Sequence, residues 1–294
     1  MIIEEILIRD KDITELSNFK TAAIANYYFE INSRHDVDKV FDIYNFGTKN
    51  KLPILFIGGG TNMLFAFEKY EGIVIRNCLK GWTYDSNTKI IETCTGESIS
   101  DISESLYNDY GQPLWKRFIG LPGSVGGAVF GNAGCFGLEI ENNFLEAEVI
   151  NLKTGEILYL NKQDMGFEYR NTIIKKTNNY FIINVKFDLS ILVEKYSSDV
   201  DNIYFREVRQ PKGNTCGSFF KNHSKENPAG GLIEKVGLKG KKIGGAYFSE
   251  KHANFLISDG ATYKDLLELI NLAQTKIKAE FDINLEPEVR IITN

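Results

Sequence analysis

With 294 residues, 43% hydrophobic and 25% charged, the chain can bury a full core and makes two or three packed domains more naturally than one. Its net charge of -5 comes without a basic block, so the electrostatic footprint of a nucleic-acid binder is missing, and no apolar run approaches the roughly 18 residues that a bilayer span needs. The start, MIIEEILIRDKD, has acids where a secretory leader has positive charge; the expected state is a cytoplasmic monomer with no nucleic-acid partner and no membrane insertion.

The first third alternates strand-like and helix-like patterns. Residues 27–31 (YYFEI) are rich in strand formers, the stretch from Val37 to Phe46 has helical spacing, and LPILFIGGG at 52–60 reads as a buried strand running into glycines. From Gly72 to about Leu189 strands dominate: GIVIRN, KIIETCTGE, a hairpin AEVINLKTGEILYL turning at its KTG, and YFIINVKFDL, with one short helix near 98–109. The polar segment 191–202 is the expected domain boundary. Beyond it PAGGLIEKVGL reads as a short helix ending at Gly237, ANFLIS as a strand, TYKDLLELINLAQTKIKAEF as the longest helix and EVRII as a last strand. The expected class is α+β, divided at 1–71, 72–190 and 191–294.

Cys78, Cys94, Cys135 and Cys216 form no C-x-x-C pair, and His35, His223 and His252 have no ligand spacing, so neither a disulfide framework nor a metal site is expected. Two segments carry more glycine than folding needs: Gly58-Gly59-Gly60-Thr61-Asn62 after Ile57, and Ile119 to Gly137. Glycine costs roughly 0.5 to 1 kcal/mol against alanine in regular structure, so each cluster needs a reason. Close approach of a ligand is the usual one, because residues without a Cβ can turn successive N–H groups inward as a nest for phosphate oxygens. GGGTNM lacks the third glycine of a dinucleotide fingerprint, and no P-loop sequence exists. The shorter cluster is equally a tight strand-to-helix turn. The longer combines seven glycines with Pro122, Ser124 and Asn132, turn formers and phosphate-compatible donors.

Seven stretches in order, FKTAAIANYYFEI, ILFIGGGTNMLF, GLPGSVGGAVFGNAGCFG, FEYRNTI, TCGSFFKN, AGGLIEKVGLKGKKIGGAYFSEKHANF and LEPEVRII, resemble the UDP-N-acetylenolpyruvoylglucosamine reductase (UDP-N-acetylmuramate dehydrogenase) family. The resemblance implies a two-subdomain FAD-binding portion of the vanillyl-alcohol-oxidase (PCMH-like) kind, at 1–71 and 72–190, then an α+β substrate-binding domain at 191–294. It also implies FAD as bound cofactor, NADPH as co-substrate and UDP-N-acetylglucosamine enolpyruvate as substrate. The flavin-binding positions would be Ile57, Gly58, Gly59, Gly60, Thr61, Asn62, Gly120, Pro122, Gly123, Ser124, Gly126, Gly127, Asn132 and Gly134.

Hydride arriving at C3 of an enolpyruvyl ether drives negative charge through C2 into the carboxylate, so the site needs a cation and a proton donor. By resemblance Arg170 is the catalytic arginine, able to hold a carboxylate through two N–H groups. Ser218 matches the family's proton donor to C2, and Glu288 its third catalytic residue. Tyr169, Lys221 and Asn222 are the implied substrate contacts. Cys216, two residues before Ser218, has no accompanying His or Asp pattern and is read as packing; His252 is given no catalytic part. Ala22-Ala23, Lys116, Phe136 and His223 depart from the family's usual residues. The absence of a tyrosine-bearing insertion before 191 and the ending after EVRII resemble the shorter, type II subclass.

Overall fold

In the computed structural model, which describes residues 2–194 and 202–294, the chain mixes helix and strand as an α+β fold. The described residues divide into two compact units, each discontinuous in sequence. The first comprises 2–9, 27–59, 72–194 and 202–204, the second 10–26, 60–71 and 205–294. This division differs from the expected one at 71 and 190, because segments 10–26 and 60–71 cluster with the C-terminal residues. Strand pairing supplies the reason: Arg290–Ile292 runs parallel to Met63–Phe65, with Arg290 opposite Met63 and Ile292 opposite Phe65. Most of the boundary expected at 191–202 falls on 195–201 and lies outside the described residues.

The first unit is built on a five-stranded antiparallel sheet in the order Ile157–Asn161, Phe144–Asn151, Tyr180–Asp188, Ile90–Cys94, Trp82–Asp85. One face packs Ile91, Ala147, Val149, Val185 and Phe187 with the helix Ile99–Asn108 through Ile99, Ile102 and Leu106. That helix begins where Ser98 Oγ accepts the Asp101 N–H at 3.3 Å. A second cluster joins Ile43 of the helix Val40–Lys49 to Ile73 and Ile75, and the strand Ile54–Ile57 runs parallel to residues 73–76. Its C-terminal end delivers Gly58 and Gly59, where α/β sheets commonly hold ligands.

In the second unit the helix Tyr263–Phe281 buries Leu266, Leu269, Ile270, Ala273 and Ile277, the i, i+3, i+4 stripe visible in the sequence, in one cluster with Ala246, Phe248 and Leu256. Those last residues lie on a three-stranded antiparallel sheet, Lys242–Ile243, Ala246–Phe248 and Leu256–Ser258. A capping box fixes the helix start: Thr262 donates its N–H to Asp265 at 2.8 Å and accepts the Asp265 N–H at 3.2 Å. Asp282, left-handed at φ 56°, ends it.

Candidate active site

The two glycine segments meet inside the first unit. A Cβ added at Gly58 would fall on Ser124 Oγ, and one at Gly59 would come within 3.1 Å of Gly123 Cα, so only glycine allows these backbones to touch. The longer segment is not an open nest throughout. Val125–Phe130 forms a short helix capped by Ser124, whose Oγ accepts the Gly127 N–H at 3.2 Å. The Val125 and Gly126 N–H groups donate to Glu97 and Thr95 carbonyls, both at 2.8 Å. The Gly126 and Gly127 N–H groups are thus bonded within the chain, and a Cβ at Gly126 would lie 3.0 Å from the Thr95 carbonyl oxygen. Gly120 is left-handed at φ 77° and gives its N–H to Ser100 Oγ at 2.7 Å; Pro122 is exposed.

Arg170 sits at the tip of a tight hairpin in which Glu168 and Asn171 exchange two N–H to carbonyl bonds at 3.0 Å each. Its backbone is left-handed, φ 56°, a conformation costing a non-glycine residue of order 1 to 3 kcal/mol. The guanidinium offsets that cost. Nη1 donates to the Asn132 carbonyl at 3.3 Å and Nη2 to the Gly134 carbonyl at 2.9 Å, and charge-assisted bonds are worth about 1.5 to 3 kcal/mol each. Asn132, fully buried, gives Nδ2–H groups to Glu141 Oε1 and the Glu168 carbonyl, both at 3.1 Å. The Tyr169 ring is exposed, with the Arg170 guanidinium 5.2 Å from its centroid.

Ser218 and Glu288, remote in sequence, are neighbours in the second unit. The Glu288 N–H donates to the Phe219 carbonyl at 2.8 Å, and Lys221 N–H to Glu286 at 2.9 Å. Ser218 is exposed and Glu288 half-buried. Asn62 joins the same region, giving Nδ2–H to the Glu288 carbonyl at 3.3 Å and accepting the Arg290 N–H at 3.1 Å. The GGGTN motif is thus divided, Gly58 and Gly59 belonging to the first unit and Gly60, Thr61 and Asn62 to the second. A Cβ at Gly60 would strike the Leu16 carbonyl. Lys221 Nζ pairs with Glu286 at 2.7 Å, and Asn222 Oδ1 accepts the Ala229 N–H at 3.0 Å at the start of the helix Ala229–Lys235.

Asn254 ends the stretch Ser249 to Asn254, whose resemblance to the family implied a structural part in the substrate domain without singling this residue out. Buried within SEKHAN, it carries no charge and no known catalytic spacing, yet its side chain bonds both main-chain groups of Phe220. Arg290 was not singled out either: burial lowers its guanidinium pKa, with Tyr70 opposing, and the neighbouring Tyr70 hydroxyl is itself pushed up to about 12 by burial. The sequence signal for both was weak, a polar residue in a strand-like run.

Burial raises the Cys216 thiol to about 12, and its Sγ lies 3.6 Å from the Met63 carbonyl, so no thiolate is at hand beside Ser218. Burial lowers the pKa of His252, whose Nδ1 accepts the Asn254 N–H at 3.2 Å. Among the described residues no group of three or more His, Cys, Asp or Glu could hold a metal ion, and no helix is long and apolar enough to cross a membrane.

Residues 33–161 match a family model described as FAD binding domain, and residues 209–292 match one described as UDP-N-acetylenolpyruvoylglucosamine reductase, C-terminal domain. A UDP-N-acetylenolpyruvoylglucosamine reductase of Chlamydia abortus is 36% identical over 282 residues, 95% of this chain and 92% of that protein. A UDP-N-acetylenolpyruvoylglucosamine reductase 2 of Bacillus thuringiensis subsp. konkukian is 35% identical over 259 residues, covering 87% and 83%. The solved UDP-N-acetylenolpyruvylglucosamine reductase (MurB) of Thermus caldophilus shares the fold, with a TM-score of 0.73 at 22% identity across 98% of this chain and 99% of that one.

Proposed function

The chain belongs to the UDP-N-acetylenolpyruvoylglucosamine reductase family, oxidoreductases with an FAD-binding domain, and from that premise we propose that it reduces UDP-N-acetylglucosamine enolpyruvate to UDP-N-acetylmuramate for peptidoglycan synthesis. It would act as a cytoplasmic monomer with NADPH as electron donor. Residues 1–71 and 72–190 would hold the flavin and 191–294 the sugar nucleotide. The observation that carries the reading is the backbone bond from Glu288 to Phe219, which makes neighbours of the assigned proton donor Ser218 and the assigned carboxylate.

The residues present fit a flavin diphosphate. At Gly58 and Gly59 a Cβ would meet Ser124 Oγ and Gly123 Cα, so the bare backbones of these segments lie against one another, and Ser124 adds a hydroxyl. Those four residues, with Ile57, Gly60, Thr61, Asn62, Gly120, Pro122, Gly126, Gly127, Asn132 and Gly134 shaping the surroundings, would hold FAD. FAD held there and reduced by NADPH would supply the hydride chemistry at C3 of the enolpyruvyl ether. The chain's own residues do the rest. Arg170 holds the substrate carboxylate and draws the developing charge into it, and its locked guanidinium loses little freedom in doing so. Ser218 gives its proton to C2; a hydroxyl is a weak acid, so position beside the carbanion matters more than acidity. Glu288, fixed beside it, orients the intermediate or helps return the proton. Tyr169, Lys221 and Asn222 contact substrate at the rim, Asn222 through the amide nitrogen left over from its helix-capping oxygen.

Incubating the flavin-loaded protein with NADPH and the enolpyruvyl nucleotide tests this. The expected product is heavier than the substrate by two hydrogens, formed in step with NADPH loss. NADPH consumed with oxygen while the nucleotide stays unchanged would instead identify an oxidase.

A further inference from the structure

The hairpin that carries Arg170 is tied at both feet to the glycine-rich segment, and one of the ties, Thr172, has no part in the roles above. Thr172 is fully buried, at 0% exposure. Its Oγ1 donates to the carbonyl of Phe130, the last residue of the helix Val125–Phe130, at 2.8 Å. The same hydroxyl accepts the Lys175 N–H at 3.4 Å and so caps the helix Ile173–Thr177, whose Ile174 shares a core cluster with Val125 and Val129.

The other foot is Glu168. Its carbonyl accepts one Asn132 Nδ2–H, and Glu141 holds the rest of that amide, accepting Nδ2–H at Oε1 and returning its own N–H to Asn132 Oδ1 at 3.2 Å. Between the feet the guanidinium folds back onto the Asn132 and Gly134 carbonyls, and Lys175 Nζ donates to the Arg170 carbonyl at 2.8 Å. Both Arg170, at φ 56°, and Asn132, at φ 43°, are left-handed, a state that persists only where the surroundings over-determine it. Residues 130–134 belong to the segment assigned to the flavin, and Arg170 to the substrate carboxylate. Stitched together, the two segments move as one body, which keeps the two binding groups at a fixed separation.

We infer that Thr172 is a positioning residue for Arg170: its buried hydroxyl ties the arginine's hairpin to the glycine-rich segment at Phe130, while Asn132 and Glu141 hold the opposite foot. The inference rests on the reading of Arg170 as the group that holds the substrate carboxylate. A displacement of about 1 Å at a reacting group can cost on the order of 10²-fold in rate, so a loosened hairpin registers in turnover.

Thr172→Val removes the hydroxyl and Thr172→Ser keeps it. The two half-reactions of the flavin-loaded variants are followed separately, reduction by NADPH and then reoxidation by the enolpyruvyl nucleotide. T172V slows reoxidation by roughly 10- to 100-fold, T172S restores most of the rate, and reduction by NADPH is unchanged in both. In an R170A background T172V has no further effect, because nothing is left to position, whereas a merely structural loss would slow both backgrounds alike. Wild-type reoxidation in T172V, or equal slowing in the two backgrounds, overturns the inference. Should T172V yield no folded protein, E141A takes its place at the other foot, with E141Q, which keeps the acceptor, as its rescue, and the same outcomes decide. R170A with wild-type turnover would sink the reading of Arg170 itself; R170A impaired with T172V unimpaired sinks only the role of Thr172.

Discussion

Asn254 grips Phe220 from both sides, donating Nδ2–H to its carbonyl at 2.8 Å and accepting its N–H at Oδ1 at 2.9 Å, while the Asn254 carbonyl accepts the Phe219 N–H at 2.8 Å. One buried amide thereby sets the position of the strand segment that begins at Ser218. Asn254→Ala leaves two buried main-chain groups of Phe220 without partners, each worth roughly 1 to 3 kcal/mol. Chemical denaturation should register a loss on the order of 2 to 5 kcal/mol, and Asn254→Asp, which keeps one acceptor, a smaller one. A loss within experimental error for the alanine variant would remove the positioning role.

Ser218 is exposed and one residue from the Phe219 carbonyl that Glu288 holds. Ser218→Ala should leave reduction of the flavin by NADPH nearly intact and slow the reaction with the nucleotide by orders of magnitude. Glu288→Gln should likewise spare flavin binding. Equal losses in both half-reactions would point to damage at the flavin and sink the proton-donor role.

The left-handed backbone of Arg170 is tolerated because a fork-shaped guanidinium reaches two carbonyls at once. Lysine keeps the charge but offers one ammonium in place of the fork. Arg170→Lys should lower kcat by roughly 10² to 10³-fold and, through loss of one of the two charge-assisted bonds, lower the melting temperature by roughly several degrees. A melting loss with unimpaired turnover would mean that the residue serves the fold alone.

Gly58 and Gly126 meet Ser124 and Thr95 with no room for a methyl group. Gly58→Ala and Gly126→Ala should purify with much less flavin than the wild type, read as the ratio of flavin to protein absorbance, whereas Gly111→Ala, at an open position where only the left-handed backbone is strained, should keep its flavin.

Element types were legible in the chain because periodicity is a local property. The apolar stripe of Tyr263–Phe281 and the alternation in Phe144–Asn151 mark their own faces. The pairing of Arg290–Ile292 with Met63–Phe65 was not, since a three-residue parallel strand has no sequence mark of its partner. This pairing draws 60–71 into the second unit. Gly126 and Gly127 were read as flavin-binding positions, and glycine density, which signals backbone freedom, did not reveal that their N–H groups are already bonded within the chain. Ser124 followed by Val125–Phe130 held the helix signal, a capping hydroxyl before apolar residues, hidden by two glycines of low helix propensity. Asn132 and Gly134 stood out as ligand-loop residues, yet their carbonyls serve Arg170, a partnership that no spacing encodes.

The Cys216 thiol, pushed up to about 12, stays protonated wherever the protein is folded at neutral pH. Maleimide or iodoacetamide should label this half-buried, neutral thiol far more slowly in the native protein than on unfolding. Because its folded pKa lies above the unfolded one, its contribution to stability is full below the unfolded value and fades as pH rises toward about 12. Rapid labelling of Cys216 in the native protein would contradict the half-buried, neutral thiol.

Anaerobic stopped-flow tests the central claim most directly. The bound flavin is first bleached with NADPH, and UDP-N-acetylglucosamine enolpyruvate is then mixed in without oxygen. Return of the oxidised flavin spectrum, with one nucleotide reduced per flavin, is the predicted result. A flavin that stays reduced in the presence of saturating nucleotide would contradict the assigned reaction.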